Sequence, residues 1–232
     1  MIYIIGIGAG SSDLITLKAL DTIEKLDILV GSKRSIESIL SIDSINSNDL
    51  NNKEIIYLSK NLKETLKEIA FDDKFKNKDI GILSTGDPCF SGLLKTMINL
   101  GVDKKDISVI SGISSIQVAC ARLKISWDDY AILTLHGKEH NQELLYNMVI
   151  NNHSVIFLPS DIKKDIEYML NKNNVSFNLK NVDYHLKDVR ITICENLSYP
   201  NEKISTYKLG ELLKNIENGL EFSYMAVCVI TF

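Results

Sequence analysis

Residues 79–92 read Asp79-Ile80-Gly81-Ile82-Leu83-Ser84-Thr85-Gly86-Asp87-Pro88-Cys89-Phe90-Ser91-Gly92. Ile80 to Leu83 form an apolar run with the length and β-branched content of a buried strand. The run breaks into Ser84-Thr85-Gly86-Asp87-Pro88. Gly86 permits a backbone path that a side chain forbids. Pro88 fixes its own φ and pushes Asp87 out of the helical region. Residues 93–100 then carry a helical pattern. Strand, tight polar turn and helix follow in sequence, and in an α/β protein such a corner is where a ligand meets backbone at the carboxyl end of a strand.

The same alternation extends outward on both sides. Residues 2–5 are an apolar run entering Gly6-Ile7-Gly8-Ala9-Gly10. Leu17, Leu20, Ile23 and Leu26 have helical spacing, with Thr16 as N-cap. Residues 28–30 form a strand stopped by Gly31, and residues 32–40 a helix. Residues 41–52, rich in Asn, Ser and Asp, read as loop. Residues 54–58 and 107–110 are further strands, each followed by a helix, the first with its face at Leu62, Leu66 and Ile69. The pattern predicts a parallel α/β sheet in the first half. Trp127-Asp128-Asp129 reads as a connector, which places one domain at 1–124 and a second at 125–232. In the second half, strands are expected at 131–135, 154–158, 189–194, 203–207 and 225–231. Helices are expected at 144–150, at 162–170 and at 209–216, with 172–180 as loop. Strands so unevenly separated by helices predict a mixed sheet.

Composition narrows the function classes. The chain has 232 residues, 45% of them hydrophobic, enough for a sizeable core. Its 26 Lys and Arg against 30 Asp and Glu, spread evenly over both halves, offer no basic face for nucleic acid. No window approaches the roughly 18 apolar residues of a membrane span. The N-terminus is apolar, short and without a charged leader, so it reads as a first strand. Cys89, Cys120, Cys194 and Cys228 form no CxxC pair and no zinc framework. These features describe a cytoplasmic protein with reduced thiols.

Two motifs invite readings that their context rejects. The glycines after the first strand suggest dinucleotide binding, but Ser11 stands where the third glycine belongs. Asp27 lies at the wrong end of the second strand to hold a ribose. They read instead as a packing turn, or as a loop making room for a large flat ligand. His136-Gly137-Lys138-Glu139-His140 matches a zinc-peptidase pattern that works only on a helix, whereas here it follows a strand and contains a glycine. His153 and His185 add no matching spacing, and no metal site is assigned. Asp87 is open to three readings: catalytic acid or base, ligand carboxylate, or acceptor for nearby backbone N–H groups. Ser114 and Ser115 serve as helix caps or as donors to a ligand at a helix start.

Taken together, GIGAG…LITLKAL, ILVGSKR, LSTGDPCFSG, SGISSIQVACARL and SWDDYAILTLHGK stand in the order and at the separations of a known family. The chain resembles the tetrapyrrole (corrin and porphyrin) methylases over its whole length. Within them, ILVGSKR, ISSIQ and WDD…LTLHGK are similar to the carbon-5 branch, which acts on cobalt-precorrin-7 in cobalamin biosynthesis. The resemblance implies two α/β domains with S-adenosylmethionine in the cleft between them. It implies cofactor contacts at Thr85, Gly86, Asp87, Ser114, Ser115 and Leu158, and at Asn196 and Met225. It places the glycine-rich loop, with Gly8 and Gly10, on the tetrapyrrole side. Ala9 and Ser111 depart from the family's usual prolines and soften those loops. Lys33, Arg34, His136, Lys138 and Arg122 are candidates to meet substrate carboxylates, with Lys33 and Arg34 foremost and Arg122, in mid-helix, better read as a surface charge. The resemblance also implies a homodimer, and a separate enzyme for carbon-15 methylation and decarboxylation. The competing readings are a methylase of the same fold acting on another tetrapyrrole, a protein side chain or ribosomal RNA, and a non-catalytic corrinoid carrier.

Overall fold

The computed structural model describes residues 1–42, 53–138, 140–176 and 186–232. Within them, strands form where apolar runs are short and β-branched, and helices where apolar residues recur every three or four positions. In chain order the first elements are β1 (Ile2–Gly6), α1 (Leu17–Glu24), β2 (Ile28–Gly31), α2 (Lys33–Leu40) and β3 (Glu54–Tyr57). They continue with α3 (Leu62–Phe71), β4 (Ile80–Ser84), α4 (Leu93–Asn99), β5 (Ile107–Ile110) and α5 (Ser115–Leu123). Thr16 Oγ1 accepts from the Ala19 amide at 3.2 Å, and Ser32 Oγ from the Ser35 amide at 3.1 Å, so α1 and α2 each start at a side-chain cap.

The first sheet is parallel, in the order β3-β2-β4-β1-β5. One of its faces packs on α1 and α2 through Ala19, Ile23, Ile36 and Ile39. The other packs on α3 and α4 through Leu66, Ile69 and Met97. The neighbours β1 and β4 therefore send their connections to opposite faces. That is the geometry in which an open α/β sheet receives a ligand.

The second sheet contains β6 (Ala131–Thr134), β7 (Val155–Leu158), β8 (Arg190–Glu195), β9 (Lys203–Lys208) and β10 (Ala226–Ile230), ordered β6-β7-β10-β8-β9. Only β6 and β7 are parallel neighbours, so the sheet is mixed. Helices α6 (Asn141–Ile150), α7 (Ile162–Ser176) and α8 (Leu209–Glu217) cover one face around Phe157, Ile193 and Cys228.

Internal contacts divide the chain into Met1–Ser115 and Ile116–Phe232. The sequence reading places its boundary one helix later. One expectation is corrected: residues 172–176 are the last turns of α7, not loop. Lys172 pairs with Glu143 on α6, and its ammonium lies 5.4 and 5.6 Å from the ring centres of Tyr146 and Tyr168. These contacts carry the helix past its apolar face. The expected loop at 43–52, the rest of that at 177–180, and Glu139 and His185 lie outside the described residues.

Candidate functional site

Because the first sheet is parallel, the loops leaving β1, β2, β4 and β5 all emerge at one edge. Gly86 donates its amide to the Gly8 carbonyl at 2.7 Å, and Ile7 to the Ser84 carbonyl at 3.0 Å. The glycine-rich loop and the Thr85-Gly86-Asp87 turn are thus bonded directly. The β5–α5 loop closes against both. A Cβ on Gly112 would stand 2.2 Å from the Gly86 carbonyl oxygen and 2.7 Å from the Gly6 Cα. A Cβ on Gly6 would stand 2.5 Å from the Gly112 nitrogen. Backbone meets backbone where the three loops converge, and only glycine fits.

Asp87 holds this corner together. Its Oδ1 accepts from the Cys89 amide at 2.8 Å, and its Oδ2 from the Gly112 amide at 3.1 Å. Both carboxylate oxygens shape the frame, one within its own turn and one across to the next loop. Gly86 takes a φ of +71°, and the nearest atom to a Cβ there would be the Ser114 Cα at 3.6 Å. Thr85 is exposed beside it, and Ser115 opens α5. Cys89 is exposed; partial burial and then the Asp87 charge push its thiol pKa up.

Lys33 and Arg34 are exposed in the first turn of α2, at the same edge. Lys33 lies 3.7 Å from Glu37, a surface pair of small strength.

In the second unit β6, β7 and β8 point the same way and β10 runs opposite. Leu158, His136, Lys138, Asn196 and Met225 therefore gather at one edge. Asn196, at a φ of +50°, donates its amide to the Met225 carbonyl at 2.9 Å. Ser223 Oγ donates to Asn196 Oδ1 at 2.7 Å, and the Ser223 amide to Glu195 Oε1 at 2.7 Å. The other Glu195 oxygen finds no partner among the described residues, although the residue is only 6% exposed. Nearby, a hollow of about 430 Å³ is lined by Pro159, Ser160, Lys163, Phe222, Ser223 and Tyr224. Asp165, 1% exposed, fixes one wall of it by accepting from the Ser160 amide at 2.9 Å and the Ser160 hydroxyl at 2.8 Å.

Arg122 donates to Glu202 at 2.7 Å, so it serves an ion pair within its own unit. His136 lies beyond the end of β6 and His140 just before α6, so they do not share a helical face. No cluster of three or more metal-binding side chains occurs among the described residues. The sequence reading overlooks Glu195, Ser223 and Tyr224. Glu195 adjoins Asn196 and Tyr224 adjoins Met225, with Ser223 one position further out, and that proximity to residues it singles out is the available signal.

The profile of the tetrapyrrole (corrin/porphyrin) methylases matches residues 1–213. A probable cobalt-precorrin-7 C(5)-methyltransferase of Methanocaldococcus jannaschii is 49% identical over 99% of this chain and 97% of its own. Among solved structures, a cobalamin-biosynthesis precorrin-6Y methylase from Archaeoglobus fulgidus superposes with a TM-score of 0.67 at 22% identity, covering 100% of this chain and 97% of its own. A uroporphyrin-III C-methyltransferase from Thermus thermophilus, complexed with S-adenosyl homocysteine, has a TM-score of 0.62 at 15% identity over 99% and 91% of the two chains. These two likenesses are of fold.

Proposed function

We propose that this chain, which belongs to the tetrapyrrole (corrin/porphyrin) methylases, is an S-adenosylmethionine-dependent methyltransferase that methylates carbon 5 of cobalt-precorrin-7 in cobalamin biosynthesis. The observation that carries this reading is the 49% identity, over nearly the whole of both chains, to a probable enzyme of that activity.

The residues fit the sulfonium donor. In the first unit, the glycine frame brings backbone close to a ligand without side chains intervening. Thr85, Gly86, Ser114 and Ser115 would hold the donor there, with amides at the start of α5 suited to its carboxylate. Asp87 would act by keeping that frame closed. The candidate cofactor contacts of the second unit are Leu158, Asn196 and Met225. When bound, S-adenosylmethionine supplies an already activated methyl group, so the chain need furnish no covalent nucleophile. Its residues hold the ring carbon in line, a contribution of up to about 7–11 kcal/mol. Gly8 and Gly10 leave room for the flat macrocycle. Lys33, Arg34 and Lys138 meet its carboxylates.

The reaction is placed in the cytoplasm, on a homodimer, with carbon-15 methylation and decarboxylation left to another enzyme. Four unpaired cysteines support the compartment, and family likeness supports the rest. Among the described residues no helix is long and apolar enough to cross a membrane.

The test is to incubate the protein with cobalt-precorrin-7 and S-adenosylmethionine and follow the tetrapyrrole by mass. One added methyl, located at carbon 5, is the expected product. A tetrapyrrole returned unchanged, or methylated elsewhere, refutes the assignment. Calorimetry with S-adenosylmethionine alone should show micromolar binding.

A further inference from the structure

Methyl transfer to a methine carbon leaves a second task. Carbon 5 carries one hydrogen, and when it takes the methyl group it becomes tetrahedral and the ring system gains a positive charge. Loss of that hydrogen as a proton returns the C–H electron pair to the ring. A group on the protein must accept the proton.

At the strand-end edge of the second unit, the Tyr224 hydroxyl and His136 Nε2 share a hydrogen bond. Their rings meet edge to face, with centroids 5.1 Å apart and planes at 68°. Tyr224 is 75% exposed, so packing does not explain an aromatic side chain at this position. Its backbone, by contrast, is pinned on both sides. Ser223 is bonded to Glu195 and Asn196, the Met225 amide donates to Ser223 Oγ at 3.2 Å, and the Met225 carbonyl accepts from Asn196. His136 stands on an equally fixed turn. Leu135 donates its amide to the Leu158 carbonyl at 2.8 Å, and Lys138 its amide to the Leu135 carbonyl at 2.9 Å. A linked pair of proton carriers is thus presented on rigid backbone beside Leu158, Asn196 and Met225. A proton-transfer group needs that combination of a fixed base and an open tip.

We propose that Tyr224 and His136 form the relay that removes the carbon-5 proton, an assignment that rests on the carbon-5 reading above. Tyr224 Oη accepts the proton from carbon as its own hydroxyl proton passes to His136 Nε2. The exposed imidazolium then releases that proton to water. The relay balances without any oxidant or reductant. It moves His136 from partner of a substrate carboxylate to proton acceptor.

The relay should also run without a methyl donor. In D2O, with cobalt-precorrin-7 and no S-adenosylmethionine, the pair would deliver a deuteron to the nucleophilic carbon and remove the proton. The expected result is enzyme-dependent deuterium incorporation at carbon 5, read by mass. Tyr224→Phe and His136→Gln should lower both this exchange and methylation at saturating substrate by about 100-fold or more. Both side chains are exposed, so the fold should survive, and absorbance titration should show the tetrapyrrole bound as before. Exchange and methylation at wild-type rates in Tyr224→Phe overturn the relay. So does the absence of exchange in a wild-type protein that binds and methylates the tetrapyrrole. A wild-type protein that neither binds nor methylates it overturns the functional reading instead.

Discussion

Replacing Asp87 by alanine removes the acceptor of two backbone amides, those of Cys89 at 2.8 Å and Gly112 at 3.1 Å. The two losses differ in size. The Cys89 amide belongs to an exposed turn where water can take over, so its bond contributes about 1 kcal/mol. The Gly112 amide lies where three loops touch backbone to backbone, and water has little room to follow. Leaving it unpaired costs about 1–3 kcal/mol. The expected loss of stability is therefore about 2–4 kcal/mol, read as a lowered urea midpoint. If Asp87 acts only by closing the frame, S-adenosylmethionine binding can weaken by no more than that same energy, at most about 30- to 700-fold. Asp87→Asn keeps one acceptor oxygen and should lose about half as much. Urea unfolding and calorimetry on the three proteins give both quantities. Asp87→Ala with the wild-type midpoint would refute the bracing role. A binding loss well beyond the stability loss would show that the carboxylate touches the ligand itself.

Gly112→Ala, whose Cβ would sit 2.2 Å from a carbonyl oxygen, should be badly destabilised. Gly86→Ala, with open space but a φ of +71°, should lose only about 1–2 kcal/mol; equal melting temperatures would contradict this ordering. Among the cysteines, Cys89 alone should react with an aromatic disulfide in the native protein, and faster in Asp87→Asn, where the repelling charge is gone. Cys194, pushed up to about 12 chiefly by burial, and Cys228, raised by the same cause, should react only in urea. The Arg122 hydrogen bond holds the Glu202 carboxyl below its ordinary range. A depressed folded-state pKa gives stability that is present above the unfolded value, near 4.3, and is lost as pH falls through the folded one. Arg122→Gln should thus cost about 0.5–1 kcal/mol near neutrality, with the difference from wild type closing in acid; a gap independent of pH would argue against the pairing.

The strands were legible because each is a brief β-branched run cut by glycine or a polar turn, as in residues 80–86. The parallel-then-mixed character of the sheets followed from the spacing between strands and helices. The extension of α7 was not legible. Asn171, Asn173 and Asn174 lower helix propensity, and the Lys172 contacts to Glu143 and Tyr146 that outweigh them come from a different helix. The turn at 85–87 could be located from Gly86 and Pro88. What Asp87 does there could not, because one of its two partners, Gly112, lies 25 residues away. The Tyr224–His136 pair spans 88 residues and leaves no local pattern. Glu195 carries no local signal either: its burial belongs to a β8 flanked by β9 and β10, which come from later in the chain.

The closest contacts among Gly6, Gly86 and Gly112 are backbone on backbone, and that fixes what variation the corner can absorb. Ser111 lies exposed beside the joint, so other residues can occupy that position while the frame stays shut. Thr85 hangs exposed from the same frame and can be exchanged, altering what is touched without moving what holds it. A saturation scan of this region should rank its positions, with Gly6 and Gly112 the strictest and Gly86 and Asp87 next. Gly6 and Gly112 would admit almost nothing, and exposed neighbours such as Thr85 would admit most residues at the cost of changed ligand preference. A fold with such a joint can acquire new substrates by single steps, because its architecture and its selectivity are encoded in different residues.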